Sequence, residues 1–139
     1  MMKTLLFATI FIFLGLSIAA PDASAQKKKR VVFKKNVAVV SGTIKGDETL
    51  EYVFRVRKNA DVDISVDNDK FADSIYPKFV LLKPNGKLFY DKDSVNYGAG
   101  ADLMDILPQA GDYTVRLQLP EDMRNDGKPV KFTFRIVLK

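Results

Sequence analysis

Ten residues near the C-terminus, Pro120 to Pro129, carry the densest set of contact chemistry in the chain: Glu121, Asp122, Met123, Arg124, Asn125, Asp126 and Lys128. Arginine presents a fork of donors that matches a carboxylate, and an asparagine amide both donates and accepts, so Arg124 with Asn125 can occupy a cleft lined by acidic groups. Acidic side chains form a second set: Asp61, Asp63, Asp67, Asp69 and Asp73, then Asp91 and Asp93. Calcium takes about six to eight oxygens from loops of this kind. The order Asp91-Lys92-Asp93-Ser94-Val95-Asn96, however, puts valine where the helix-loop-helix calcium pattern requires an oxygen. Asp61, Asp63 and Asp67 fall on one face of a strand, where solubility is the commoner role, so no metal or cofactor is assigned.

The 139 residues include no cysteine and no histidine. That removes Ser-His-Asp and Cys-His catalysis, and zinc sites built from imidazole or thiolate. A pair of carboxylates could still do acid–base work, but nothing in the sequence positions one. The chain therefore reads as a binding protein and not as an enzyme, with no catalytic residue. A secreted domain without cysteine must be held by core packing and sheet hydrogen bonds rather than by disulfides. A hydrophobic content of 47% is enough to form a core in one domain of this length.

Three segments are expected to organise these residues. Met1 to Lys3 is a short basic start, Leu5 to Ala20 an apolar run, and Ala23-Ser24-Ala25 a small-residue cleavage site, which together read as an export signal over residues 1–25. A membrane-spanning helix usually needs about 20 apolar residues, more than this run supplies. Cleavage after Ala25 would leave a periplasmic or secreted chain starting at Gln26, with no transmembrane segment. Residues 26–36 follow as a basic arm with Lys27, Lys28, Lys29, Arg30, Lys34 and Lys35. An arm of this kind is expected to be solvated and partly disordered, with attachment to an anionic surface as the functional alternative. No nucleic acid is expected as a partner, because nothing beside the cations reads a base.

Residues 37–139 are expected to form the folded domain. Leu50, Tyr52, Phe54 and Val56 share one face of a strand opposite Glu51, Arg55 and Arg57, and Val62, Ile64 and Val66 alternate with Asp63, Ser65 and Asp67. With Val37 to Lys45 before them, these strands predict an antiparallel meander with one wet face. Phe79 to Leu82 is apolar on both faces and belongs inside a sheet; Pro84-Asn85-Gly86 turns the chain, and Leu88-Phe89-Tyr90 pairs back. Residues 103–107 make a further strand. Tyr113, Val115, Leu117 and Leu119, then Phe132, Phe134, Ile136 and Leu138, alternate with polar residues on either side of the 120–129 loop. About eight short strands without a helix predict an all-β fold, a single antiparallel β-sandwich, with a closed barrel as the alternative. The loop between the last two strands is the expected contact surface.

The stretch Ser41-Gly42-Thr43-Ile44-Lys45-Gly46, followed by Tyr52-Val53-Phe54 and Lys58-Asn59-Ala60-Asp61-Val62, resembles the opening of bacterial pre-peptidase C-terminal-type sandwiches. Leu81 to Gly86 and Leu107 to Arg116 continue the likeness. Within that group the chain is most similar to periplasmic inhibitors of goose-type lysozyme, and more loosely to inhibitors of invertebrate-type lysozyme. The resemblance implies a lysozyme as partner, a monomeric or homodimeric inhibitor, and contacts from Ala110, Gly111, Asp112 and Tyr113 together with Met123, Arg124, Asn125 and Asp126. In the family's Ser-Gly-x-Tyr motif this chain has Ala110 for the serine, and its loop has one arginine where the family tends to carry two or more. The alternative implied is a calcium- or glycan-binding accessory module without activity.

Overall fold

The computed structural model describes residues 26–67, 77–92 and 101–139. The export segment, Asp69, Asp73, Asp93 and the side chains of Val66 and Asp67 lie outside what is described. Among the described residues nine strands and one short helix follow in order: β1 Gln26–Arg30, β2 Val37–Ile44, β3 Thr49–Val56, β4 Ala60–Asp67, β5 Lys78–Leu82, β6 Leu88–Lys92, β7 Ala101–Leu107, β8 Gly111–Gln118, α1 Glu121–Arg124 and β9 Val130–Leu138. They form two sheets, one ordered β1-β3-β8-β5-β6 and the other β2-β9-β4-β7. No strand pairs across the two among the described residues, so the fold is an all-β sandwich and not a closed barrel.

The core lies where the period-two alternation puts it. Tyr52, Phe54, Phe79, Leu81, Tyr113, Val115 and Leu117 from the five-stranded sheet meet Val62, Ile64, Phe132, Phe134 and Ile136 from the four-stranded one, all buried. Tyr52 is packed edge-on to Phe134 with ring centroids 5.0 Å apart, which ties the two layers together at their centre. Gly42 lets this happen, because a Cβ there would lie 2.8 Å from Cζ of Phe132. As expected, β5 is flanked on both sides, by β8 and by β6.

Three expectations are corrected. Strands β2, β3 and β4 are not a meander: β2 and β4 both pair with β9, while β3 belongs to the opposite sheet beside β8. Alternation identifies which side of a strand is buried but not which neighbour it pairs with, and a chain that crosses between layers has the same pattern as one that turns back. The basic arm is not a solvated tail over Gln26–Arg30, since these residues pair in parallel with β3 and the backbone N–H of Val31 continues the ladder to Val53 at 2.8 Å. Its lysines suit an edge strand, where charge discourages pairing with another chain. Glu51 is not on a wet face either, being only 4% exposed.

Among the described residues no helix is long and apolar enough to cross a membrane.

Candidate functional site

The 120–129 loop leaves β8 through the buried Leu119 and returns at Val130. Where the alternation predicts only irregular chain, Glu121–Arg124 winds into one helical turn with Glu121 and Asp122 in its acidic first turn. The N–H groups of Met123 and Arg124 both donate to the carbonyl of Pro120, at 3.0 and 3.2 Å. Proline suits this place because it carries no N–H of its own to leave unpaired ahead of the first turn. Arg124 donates from Nε to the carbonyl oxygen of Leu119 at 2.9 Å, and Met123 packs against the core, so the loop is anchored at two points. Asn125 and Asp126 are exposed beyond them.

The turn between β2 and β3 adjoins this loop. A Cβ on Gly46 would sit 3.9 Å from the carbonyl oxygen of Arg124. In that turn Glu48 accepts the backbone N–H of Lys45 at 3.1 Å and pairs with Lys27 at 3.4 Å. The Lys45 N–H, chiefly, holds the Glu48 carboxyl below the usual range. Charges of both signs meet at this end of the sandwich: Asp47, Glu48, Glu121, Asp122 and Asp126 stand among Lys27, Lys45, Lys78, Arg124, Lys128 and Lys131.

The Ala110 to Tyr113 set lies at the other end. Tyr113 is fully buried, with its ring perpendicular to that of Phe89 and its hydroxyl accepting the Gln109 N–H at 3.3 Å. Its place is in the core, where it fixes the turn before β8, and it presents no surface to a partner. Gly111 has φ +134, and a Cβ there would lie 2.9 Å from Cγ of Pro84, so both conformation and space require glycine. Asp112 accepts from both Arg30 and Arg55, at 2.9 and 3.1 Å. Those guanidiniums, Arg30 first, hold its carboxyl below the ordinary value. Ala110 alone of the four is plainly exposed.

Gly111 and Gln118 bound the same strand, a span of about 23 Å at about 3.3 Å per residue. The two sets of expected contact residues thus occupy opposite ends of the sandwich. Cations gather round the Ala110 end, with Lys34, Lys35, Arg57, Lys58 and Lys87 exposed there. The sequence reading missed this separation because both sets flank one strand and look adjacent in the chain. Counting residues along the strand between Gly111 and Gln118 would have revealed it.

Of the acidic set, Asp61, Asp63 and Asp91 are described with their side chains. Among the described residues no group of three or more comes close enough to hold a metal, and Asp91 is paired with Lys78 at 3.6 Å.

The sequence matches no protein-family model and no curated protein. Solved structures do match. PliG of Aeromonas hydrophila, a periplasmic lysozyme inhibitor of g-type lysozyme, superposes at TM-score 0.63 and 17% identity, over 83% of this chain and 100% of that one. PliG of Salmonella Typhimurium gives 0.58 at 24%, over 81% and 98%. This chain shares their fold. The likeness expected from the sequence is thus present in three dimensions, and it extends to the pre-peptidase C-terminal domain of a Bacillus anthracis collagenase, at TM-score 0.53 and 15% identity over 84% of this chain and 96% of that one.

Proposed function

We propose that this chain is a proteinaceous inhibitor of lysozyme, with a goose-type enzyme as its first target and an invertebrate-type enzyme as its second. The observation that carries the reading is the end-to-end likeness to two g-type lysozyme inhibitors, each of which the fold covers almost completely. In this proposal the chain is exported, cleaved after Ala25, and works without a cofactor or a covalent step.

The inserted element in this reading is the 120–128 loop. A glycosidase cleft carries carboxylates that do acid–base work, and an arginine fork can neutralise one of them. Arg124 supplies that fork, because its Nε bond to Leu119 engages only one of its three nitrogens. The acidic side chains beside Arg124 favour this end over the other, where cations predominate. A cationic lysozyme repels a protein of net charge +5 as a whole, but the charge here is divided between the two ends. Asp47, Glu121, Asp122 and Asp126 would meet the enzyme's basic surface while Arg124 meets its acidic cleft. In this reading the Ala110 turn is left outside the complex, at the far end of β8.

The experiment is a turnover assay of goose-, invertebrate- and chicken-type lysozymes on cell walls with increasing inhibitor. Exchange of Asn125 and Asp126 for alanine should weaken inhibition, whereas Ala110→Asp should leave it unchanged. The reverse pattern would transfer the contact to the opposite end.

A further inference from the structure

A trough of about 620 Å³ opens on the outer face of the five-stranded sheet. Small-ligand sites have volumes of about 300 to 1,000 Å³. Its floor is made by side chains of β3 and β8 that point away from the core yet are almost fully covered: Glu51, Val53 and Thr114 are 4, 6 and 8% exposed. Glu51 Oε1 accepts from both Nε and Nη2 of its cross-strand neighbour Arg116, at 2.8 and 2.7 Å. One wall is β1, which brings Lys28 and Lys29 to the rim, beside Arg30, whose guanidinium is already paired with the Asp112 carboxylate that also lines the trough. The other is the turn after β5, with Lys83 and Pro84.

This arrangement selects for a particular kind of ligand. The rim is cationic and attracts phosphate or carboxylate. The floor holds a carboxylate, which repels an anion but accepts hydroxyl protons, beside a threonine hydroxyl and a guanidinium that donate. Among the described residues no aromatic side chain lines the trough, so stacking on a flat ring or base is not what it offers. A ligand that satisfies rim and floor together has a neutral, hydroxylated body and an anionic substituent. We propose that the trough binds an anionic sugar, meaning a hydroxylated ring bearing phosphate or carboxylate. Its source is either a cell-wall saccharide with a carboxylate or the phosphorylated sugar of a lipid headgroup. The site is separate from the 120–128 loop and does not depend on lysozyme as a partner.

The test is an amide-resolved NMR titration of the purified protein with N-acetylmuramic acid, glucosamine 6-phosphate, uncharged N-acetylglucosamine and inorganic phosphate. At least one acidic sugar should shift Arg30, Val53, Thr114 and Gly86 saturably, while the neutral sugar and inorganic phosphate do not reach the floor residues Val53 and Thr114. Whichever acidic sugar binds tighter names the source. The double variant Lys28→Ala with Lys83→Ala should weaken that binding at least about tenfold, with melting temperature and lysozyme inhibition unchanged. The proposal is overturned if neither acidic sugar saturates by about 10 mM, if inorganic phosphate gives the same shifts at the same concentration, or if the double variant binds as the parent does.

Discussion

Arg124 donates from Nε to the carbonyl oxygen of Leu119, and Leu119 is 1% exposed. The arginine of the exposed loop is therefore bonded to the buried residue that directly follows β8, which sets where its guanidinium can point. A charged donor on a backbone acceptor contributes roughly 1.5 to 3 kcal/mol when shielded, and less at a half-buried site such as this one.

Arg124→Ala should therefore act on two quantities at once. It should destabilise the fold by about 1 kcal/mol, read in urea, through the lost bond to Leu119. It should also raise the inhibition constant at least about 30-fold, because losing a buried arginine–carboxylate pair across an interface costs about 2 to 5 kcal/mol. Arg124→Lys keeps the charge without the planar fork, and an intermediate inhibition constant is expected. Inhibition by the alanine variant equal to the parent's would assign Arg124 to loop stability alone.

Gly111→Ala tests the turn before β8. The backbone at φ +134 and the approach of Pro84 Cγ to 2.9 Å both oppose a side chain. A loss of about 1 to 3 kcal/mol is expected, measured by chemical denaturation. A neutral outcome would mean that the turn rearranges freely and that Pro84 does not constrain it.

The sandwich was legible in the sequence because its inner faces are uninterrupted at period two: Tyr52-Phe54-Val56, Tyr113-Val115-Leu117 and Phe132-Phe134-Ile136 are each apolar throughout and all buried. Pairing was not legible. Nothing in Val62-Asp63-Ile64 says that its neighbours are β9 and β7 rather than β3. The strand at Gln26–Arg30 was hidden because its partner contacts are backbone hydrogen bonds, which leave no side-chain pattern, and its cations resemble a solvated tail. The candidate loop could be read from composition, whereas the burial of Tyr113 competed with a functional reading that the aromatic side chain suits equally well. The trough was not legible because its residues come from four separated stretches of chain, and Glu51 looks like a surface carboxylate until Arg116 is placed beside it.

Phe134→Ala tests the core. Phe134 is fully buried, stacked on Phe132 at 6.4 Å and edge-on to Tyr52. A destabilisation of about 3 to 5 kcal/mol is expected. A loss under about 1 kcal/mol would show that the two layers do not meet there as described.

The pH profile follows from the carboxyls. Asp112, held low chiefly by hydrogen bonds from Arg30, and Glu48, held low chiefly by the Lys45 N–H, ionise at lower pH in the folded chain than when unfolded. The unfolded groups titrate near pH 4, so this stabilisation is fully present above about pH 5 and is lost as pH falls through the folded values. The contribution is small because the pairs face solvent. With no histidine, stability should be flat between about pH 5 and 8. Denaturation midpoints measured at intervals from pH 8 to 2 check this, and Asp112→Asn should reduce the decline at the acid end. A fall between pH 8 and 6 would contradict it.

Inhibition of a lysozyme is measured most directly as the rate of cell-wall lysis by a goose-type enzyme titrated with the purified protein. Lysis should fall to near zero at an equimolar or modest excess of inhibitor, with chicken-type lysozyme unaffected and invertebrate-type lysozyme slowed more weakly if at all. Undiminished lysis by both the goose- and invertebrate-type enzymes at micromolar inhibitor, with the protein folded, would contradict it.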